Sequence, residues 1–340
     1  MTLLVSALER SANLHLSHLL PYLNDVEIRG IFDSALGEPI VDLQSLSVMG
    51  FVDAIKKLPF FLKLKNEMVD LAANADKVLL IDGSGFNLPL AKAIKKRYPN
   101  KAIIYYILPQ AWAWRRGRVN DVVRYVDVAC SILPFEKAIY PPNYNIRYVG
   151  HPLLDEIESF KEEPTTEGPV VFMPASRKAE IKALMPIFTK VRQTIDEEAL
   201  LVIPPHFSKD EIALLYGDIS AFTITHNSHE ALMQAKFAFI CSGTATLEAS
   251  LIGTPLALAY IAKPIDYFIA KRFAHIDKAG LANIMLGNVH PEFLQEAVTP
   301  ENLLAAYRQS DPEIFLQKSK ELRSYLKHGS AKQVAKVIHA

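Results

Sequence analysis

The feature that most constrains the fold is a repeated alternation between short apolar runs and segments with helical periodicity. The runs TLLVSA, EIRGIF, KVLLID, AIIYYIL and DVACSIL precede residue 135, and PVVFM, LLVIP, FAFICS and LALAY follow residue 168. Continuous apolar strands separated by helices are typical of parallel sheets that are covered by helices on both faces. The sequence therefore predicts an α/β chain with two Rossmann-like, doubly wound domains.

A polar stretch, SFKEEPTTEGP, separates the two sets of runs and is typical of an inter-domain linker. We predict domains at residues 1–160 and 168–310, followed by C-terminal helices at 311–340 that return to the first domain or contact a partner chain. Open α/β sheets bind ligands beyond the carboxyl ends of their strands. The two domains are therefore expected to face a central cleft.

Composition argues against several classes of protein. Lys+Arg and Asp+Glu both total 37, so no global charge attracts nucleic acid. Cys130 and Cys241 lie in apolar runs and are predicted to be reduced thiols of a cytoplasmic protein. No signal-peptide pattern or bilayer-spanning run is present, so we expect a protein that is neither secreted nor membrane-spanning. The absence of D-x-D and of metal-ligand spacing predicts no metal or other cofactor.

The stretch CSGTATLEASLIGTP has the layout of a phosphate site at the start of a helix. It follows an apolar run and places Ser242, Gly243 and Thr244 at the turn. Amide groups at a helix start attract anions, and a glycine allows a ligand to approach the backbone. Glu248 lies one turn into the helix, where its carboxylate can accept hydrogen bonds from the hydroxyls of a ribose. An ordinary helix capped by Thr244 is the alternative interpretation.

Two further motifs directly follow apolar runs. PASRKAE places Arg177 at a helix start, where its guanidinium can bind a diphosphate; a surface pair with Glu180 is the alternative. LLIDGSGFN places Asp82 beside a glycine turn, where its carboxylate can act as a general base or only cap the next helix. GSG lacks the third glycine of a dinucleotide fingerprint, which argues against a nicotinamide enzyme.

Two segments combine cations with aromatic or large apolar side chains. LPQAWAWRRGR is suited to a phosphate or a lipid headgroup, and FVDAIKKLPFFLKLK is suited to a membrane interface. Packed aromatics and a core-facing amphipathic helix are the respective alternatives. The predicted membrane-contact residues are Phe51, Lys56, Lys57, Phe60, Phe61 and Lys63, with Trp112 and Trp114 as further candidates.

Eight stretches of the chain occur in one order and extend over nearly its whole length. They are SVMGF, LLIDGSGFN, YYILPQAWAWRRGR, SILPFEKAIY, YVGHPLLDE, PASRKAEI, CSGTATLEASLIGTP and the segment from Lys263-Pro264 to GLANI. Together they resemble the lipid-A-disaccharide synthase family, a family of inverting glycosyltransferases of the GT-B type.

The resemblance implies an enzyme that joins UDP-2,3-diacylglucosamine to 2,3-diacylglucosamine 1-phosphate and releases UDP and the β-1,6 lipid A disaccharide. It implies a cytoplasmic protein of a Gram-negative bacterium that is peripherally bound to the anionic inner-membrane surface. Whether the protein forms a homodimer is left open. It implies Asp82 as catalytic base, Arg177 as diphosphate contact and Asn283 as a donor-site residue. The implied substrate-binding residues are Ser11, Trp114, Arg115, Ser242, Gly243, Thr244, Ala245, Thr246 and Glu248.

Three stretches depart from the family pattern. The usual A-G-E-x-S-G-D turn is ALERSAN at residues 7–13, which lacks both glycines and the final aspartate and predicts altered loop geometry on the acceptor side. P-G-S-R is PASR here, and I-D-x-P-x-F-N lacks its proline. Two other functions stay open: a non-hydrolysing UDP-sugar epimerase and a catalytically silent UDP-sugar-binding protein.

Overall fold

A computed structural model of the chain describes residues 1–42, 58–263 and 278–340. The chain divides into two compact units, of which the first comprises Met1–Asp155 with Leu326–Ala340 and the second Glu156–Tyr325. The segment 311–340 is therefore divided near Leu326 between the two units.

The described part of the first unit alternates strands with helices. Its strands are β1 (Thr2–Ser6), β2 (Glu27–Phe32), β3 (Val41–Asp42), β4 (Lys77–Ile81), β5 (Ala102–Tyr106), β6 (Val128–Ser131) and β7 (Ile146–Tyr148). Its helices are α1 (Arg10–Leu19), α2 (Leu58–Leu71), α3 (Ser84–Arg97), α4 (Arg118–Tyr125), the boundary helix α5 (Pro152–Glu156) and, at the end of the chain, α13 (Ser330–His339). Short 3₁₀ helices lie at Leu20–Tyr22, Ser34–Leu36 and Pro134–Ile139.

The first sheet is parallel throughout, in the order β3-β2-β1-β4-β5-β6-β7. The strand order reverses between β1 and β4, which pair in the register Ser6 with Leu80. Such a switch point is where open α/β sheets bind ligands. A ligand site is therefore expected at the loops that follow β1 and β4.

Side-chain alternation along these strands builds two cores, one on each face of the sheet. Leu4 and Leu80 face the core that is covered by α2, α3 and α4, whereas Leu3 and Leu79 face the core that contains α1. Helix α13 completes the second of these cores with apolar side chains that include Val334. The end of the chain is thus part of the first unit.

The described part of the second unit repeats the pattern. Its strands are β8 (Val170–Met173), β9 (Ala199–Val202), β10 (Thr223–Thr225), β11 (Phe237–Cys241), β12 (Leu256–Tyr260) and β13 (Glu292–Leu294). Its helices are α6 (Lys178–Arg192), α7 (Lys209–Tyr216), α8 (Ser228–Gln234), α9 (Thr244–Ile252), α10 (Leu281–Leu286), α11 (Pro300–Arg308) and α12 (Pro312–Leu326), with a 3₁₀ helix at Gln295–Ala297.

The second sheet is also parallel, in the order β10-β9-β8-β11-β12-β13. Its switch point lies between β8 and β11, which pair in the register Met173 with Ile240. Phe172, Phe188 and Phe239 pack against one another in the core beside this pair. The prediction of two doubly wound parallel α/β domains is confirmed.

The short strands β3, β7, β10 and β13 were not among the predicted runs. All four lie at the edges of their sheets and contain only two or three residues. An edge strand is covered less than a central one, and Thr223–Thr225 is largely exposed. These strands therefore carry no long apolar run for the sequence analysis to detect.

Several strand-end loops hold non-glycine residues with positive φ, which is rare and costs about 1–3 kcal/mol at each position. The φ angles are +49° at Asp82, +63° at Ile107, +54° at Arg115 and +121° at Ala175. Asp82 and Ile107 follow β4 and β5 directly, and Ala175 follows β8 by two residues. Strain of this kind concentrates at functional sites.

Ala175 occupies the position where the resembling family has glycine, and its backbone keeps a glycine-like conformation. We predict that Ala175→Gly raises the free energy of unfolding by about 1 kcal/mol, because relief of strain exceeds the entropy that glycine adds to the unfolded chain. The control Ala183→Gly, inside α6, should lower it by about 1 kcal/mol. Denaturant titration measures the free energy of unfolding of both variants. A lower value for Ala175→Gly than for the wild type would show that Ala175 is not strained.

Candidate functional site

A pocket of about 470 Å³ lies at the switch point of the second sheet. It is formed within the second unit by the loops after β8, β9 and β11 and by the start of α9. Its lining includes Arg177, Glu180, Ser228, Ser242, Gly243, Thr244, Ala245 and Glu248. The structure therefore gathers two predicted motifs, PASRKAE and CSGTATLE, around one cavity.

The start of α9 is open in the way that an anion site requires. The residue before its first turn is Gly243, and no side chain caps this helix start. The alternative in which Thr244 caps the helix is therefore wrong. A Cβ atom placed on Gly243 would meet no atom within 4 Å, so ligand atoms can approach the backbone here. Free amide groups and the helix dipole together favour a negative group at this position.

Two other side chains of α9 differ in their surroundings. Thr246 is buried, and its hydroxyl donates to the carbonyl of Gly243 at 2.8 Å, so this residue supports the turn from behind. Glu248 lines the pocket, and the Ser228 hydroxyl donates to its carboxylate at 3.3 Å. Burial raises the pKa of Glu248, and the nearby Glu156 raises it further. Glu248 is thus a hydrogen-bonding carboxylate inside the pocket.

Arg177 lies immediately before α6 and borders the same pocket. Its Nη2 lies 2.8 Å from Oε1 of Glu180, and its side chain stays 73% exposed, whereas that of Glu180 is 11% exposed. The ion pair that the sequence offered as an alternative is therefore present at the edge of the pocket. One arm of the guanidinium contacts Glu180, and the side chain lines the same cavity as the start of α9.

Asn283, in α10, has a different environment. Its side-chain Nδ2 donates to the His290 carbonyl at 2.8 Å and to the Glu292 carboxylate at 2.6 Å, and its side-chain Oδ1 accepts a hydrogen bond from the Val289 amide at 2.7 Å. It borders a separate cavity of about 480 Å³ and is not among the described residues that line the 470 Å³ pocket. In the described part of the chain, Asn283 orders the segment between α10 and β13.

At the switch point of the first sheet, two acidic side chains come together after β1 and β4. Burial raises the pKa of Asp82, although the Gly83 amide and His15 act in the opposite direction. Burial also raises the pKa of Glu9, and the charge of Asp82 raises it further. A carboxylate whose pKa is raised in this way holds a proton more tightly and is a better general base near neutral pH.

The backbone of Asp82 is held by three side chains to which the sequence analysis gave no role. Asn87 donates to the Asp82 carbonyl at 2.8 Å, and the Tyr105 hydroxyl donates to the same oxygen at 2.7 Å. The Ser6 hydroxyl donates to the side-chain Oδ1 of Asn87 at 2.7 Å and so acts on Asp82 through Asn87. These bonds hold Asp82 in its left-handed conformation. In the sequence, Asn87 ends the motif LLIDGSGFN, whereas Ser6 and Tyr105 are marked only by their place in apolar runs.

The turn after β1 closes without the glycines of the resembling family. Asn13 donates to the carbonyls of Ala7 and Glu9 at 2.8 and 2.9 Å and accepts the Asp33 amide at 2.7 Å. No residue from 7 to 13 has positive φ, so the backbone does not need glycine here. Ser11 lies exposed in the first turn of α1.

The two tryptophans after β5 lie in opposite environments. Trp112 is buried and packs edge-on against Phe135 at 5.1 Å, so its prediction as a membrane contact is wrong. Trp114 is 42% exposed, with the Arg115 guanidinium 4.5 Å from its ring centre. The alternative of packed aromatics therefore holds for Trp112 alone.

The predicted membrane segment is described only from residue 58, so Phe51, Lys56 and Lys57 lie outside the described residues. Phe60 is half-buried against the core of the first unit, and Phe61 packs near Phe86 with ring centres 6.1 Å apart. Lys63 is exposed and lies 3.7 Å from Glu67. The start of α2 thus contacts the core with its phenylalanines and exposes its lysine.

Among the described residues, no helix is both long and apolar enough to cross a bilayer. No group of three or more His, Cys, Asp or Glu side chains within them has the arrangement of a metal site. Cys130 and Cys241 are buried free thiols, as predicted.

Solved structures with the same fold extend over nearly the whole chain. MurG of Acinetobacter baumannii aligns with a TM-score of 0.63 at 14% identity and covers 99% of both chains. UDP-GlcNAc 2-epimerase from Neisseria meningitidis aligns with a TM-score of 0.66 at 10% identity over 100% of this chain and 98% of its own. At such identities the likeness shows the GT-B type of fold and does not separate transferase from epimerase.

Sequence relatives make that separation. The chain is 47% identical to the lipid-A-disaccharide synthase of Helicobacter pylori over 98% of this chain and 97% of the relative. It is 43% identical to that of Campylobacter jejuni over 99% of both chains. The family model described as lipid-A-disaccharide synthetase matches residues 3–336. The epimerase alternative is therefore not favoured, and the chain belongs to the lipid-A-disaccharide synthase family of glycosyltransferases.

Proposed function

We propose that this enzyme joins UDP-2,3-diacylglucosamine to 2,3-diacylglucosamine 1-phosphate and releases UDP and a β-1,6-linked disaccharide of lipid A. The observation that carries the proposal is the pocket in the second unit, where Arg177, the open start of α9 and Glu248 line one cavity. A nucleoside diphosphate has the two features that such a cavity recognises, a diphosphate and a ribose diol.

The donor site follows from this lining. The diphosphate binds at the amides after Ser242 and to the guanidinium of Arg177, and the ribose hydroxyls donate to Glu248. As the bond to the sugar breaks, negative charge grows on the departing UDP. Fixed donors that face this charge are worth roughly 3–4 kcal/mol each in the transition state. Arg177 and the helix start thereby stabilise the leaving group without a metal ion.

The acceptor reacts through its 6-hydroxyl. Asp82 takes the proton of this hydroxyl while the oxygen attacks the anomeric carbon of the donor, so one C–O bond forms as the bond to UDP breaks and the configuration inverts. Glu9, next to Asp82, bears a carboxyl whose pKa is also raised, so it keeps a proton more readily than a free glutamate. Asn87 and Tyr105 fix the turn that carries the base.

We predict that Asp82→Asn lowers kcat by roughly 10²- to 10⁴-fold, the usual contribution of a general base. Stability should be unchanged or higher at neutral pH, because the variant removes a buried carboxylate whose pKa is raised by burial. UDP release measures the first effect and denaturant titration the second. Near-normal turnover would exclude Asp82 as the base.

The pH dependence of Asp82 has a defined sign. In the wild type, turnover should fall as the pH drops through the pKa of Asp82, which lies above that of an ordinary aspartate. The stability that a protonated Asp82 contributes is present at low pH and is lost as the pH rises through the same pKa. The difference in unfolding free energy between wild type and Asp82→Asn should therefore shift in favour of the variant as the pH rises.

We also propose that the enzyme is peripherally bound to the cytoplasmic face of an anionic membrane through the start of α2. Both substrates carry acyl chains, and Leu62 is 46% exposed next to the exposed Lys63. An exposed leucine beside a lysine suits insertion at the level of lipid headgroups. The half-buried Phe60 and Phe61 hold this turn against the first unit.

We predict that Leu62→Ser combined with Lys63→Glu weakens binding to phosphatidylglycerol vesicles by roughly tenfold, because an apolar contact is lost and a charge is reversed at the membrane surface. Cosedimentation measures the effect. The matched control combines Leu214→Ser with Lys209→Glu on α7, where Leu214 is 72% exposed. Equal binding by both double variants and the wild type would contradict this surface.

A further inference from the structure

Three arginines after β5 form a group of cations that the mechanism above leaves unused. Arg115, Arg116 and Arg118 follow one another within four positions. None of them forms an ion pair with a carboxylate in the described part of the chain, whereas Arg29, Arg97 and Arg177 each do. The cluster therefore carries positive charge that no described acidic side chain neutralises.

Two of these arginines are ordered by neighbouring side chains. The guanidinium of Arg115 lies 4.5 Å from the ring centre of Trp114, and that of Arg118 lies 5.6 Å from the same ring. Nη1 of Arg118 also donates to the Ser84 hydroxyl at 2.8 Å. Within the described residues this is the one hydrogen bond of the Arg118 side chain, and four of its five N–H donors are left for a ligand.

The bond to Ser84 places Arg118 beside the proposed base. Ser84 is the first residue of α3 and follows Asp82 by two positions. Both charged groups also act on one hydroxyl, since burial and then Asp82 raise the pKa of Tyr105, while Arg118 lowers it. Arg118 and Asp82 thus belong to one site at the carboxyl ends of β4 and β5.

The acceptor of the proposed reaction carries a phosphomonoester at C1 and reacts at its 6-hydroxyl. In a pyranose ring, C1 and the carbon that bears C6 are both bonded to the ring oxygen, so the two groups flank that oxygen at one edge of the sugar. A site that holds the 6-hydroxyl at Asp82 therefore needs a cation a short distance away. The planar fork of arginine matches the oxygens of a phosphate.

We propose that Arg118 binds the phosphomonoester of the acceptor, and that Arg115, stacked on Trp114, supplies a second cation at the same end. This inference rests on the proposed function and assigns the recognition of one group of the acceptor to one side chain. Arg118 then makes the enzyme selective for phosphorylated acceptors, because an acceptor without the phosphate forms no hydrogen bond with the guanidinium.

The test compares two acceptors and three enzymes in neutral detergent micelles that contain no anionic lipid. One acceptor is diacylglucosamine 1-phosphate, and the other is the matching methyl glycoside, which carries a methoxy group at C1 in place of the phosphate. The enzymes are wild type, Arg118→Gln and the control Arg124→Gln. Arg124 is an exposed arginine on the same helix, stacked over Tyr125 at 5.5 Å. The readout is kcat/KM for the disaccharide.

For the phosphorylated acceptor, Arg118→Gln should lower kcat/KM by roughly 10- to 100-fold, as expected for the loss of a charge-assisted hydrogen bond. For the methylated acceptor it should change kcat/KM by less than about threefold. Arg124→Gln should behave as the wild type with both. Equal losses on both acceptors, or no loss on either, would overturn the inference.

A second variant and a lipid-binding measurement distinguish the remaining explanations. Arg118→Lys keeps the charge without the fork and should give an intermediate loss on the phosphorylated acceptor alone, which tests the inference if Arg118→Gln does not fold. If Arg118→Gln weakens binding to phosphatidylglycerol vesicles but keeps the acceptor preference, the cation binds lipid headgroups and the inference is wrong. If the wild type forms no disaccharide from either acceptor, the proposed function itself fails.

Discussion

The parallel pairing of β1 with β4, and of β8 with β11, is the constraint on which both candidate sites depend. On either side of each pair the connections run over opposite faces of the sheet, so the loops at the carboxyl ends diverge and leave a crevice. Glu9 and Asp82 lie at the first crevice, and Arg177 and Gly243 lie at the second. Helix starts in the same loops supply free amide groups, so anion binding in the second unit follows from the topology.

Much of this arrangement could be predicted because central parallel strands are buried on both faces and appear as continuous apolar runs. The polar residues that follow those runs, such as Asp82 and Ser242, could therefore be predicted as site residues from the sequence. The hydrogen-bond partners of the Asp82 carbonyl were not predicted. The contact of Tyr105 joins neighbouring strands and depends on their register, whereas Asn87 lies only five residues after Asp82 and its contact depends on the turn at the start of α3. Trp112 and Trp114 share one motif, yet loop conformation buries one and exposes the other.

Two departures from the family pattern are accommodated locally, one by side-chain hydrogen bonds and one by a strained backbone conformation. Asn13 stands where an aspartate is usual, and its amide donates two hydrogen bonds to the carbonyls of the turn that an ionised carboxylate cannot donate. Ala175 keeps a positive φ where a glycine is usual and accepts the strain. Both loops follow a strand at a switch point, where the proposed ligands would bind.

The central claim is that the second switch point holds a nucleoside diphosphate by a helix start, an arginine and a carboxylate. A crystal structure of the full chain with UDP tests it most directly. We expect diphosphate oxygens within hydrogen-bond distance of the amides at residues 242–245 and of Arg177, with the ribose hydroxyls donating to Glu248. UDP bound elsewhere, or bound here with its ribose at the helix start and its diphosphate away from Arg177, would contradict it.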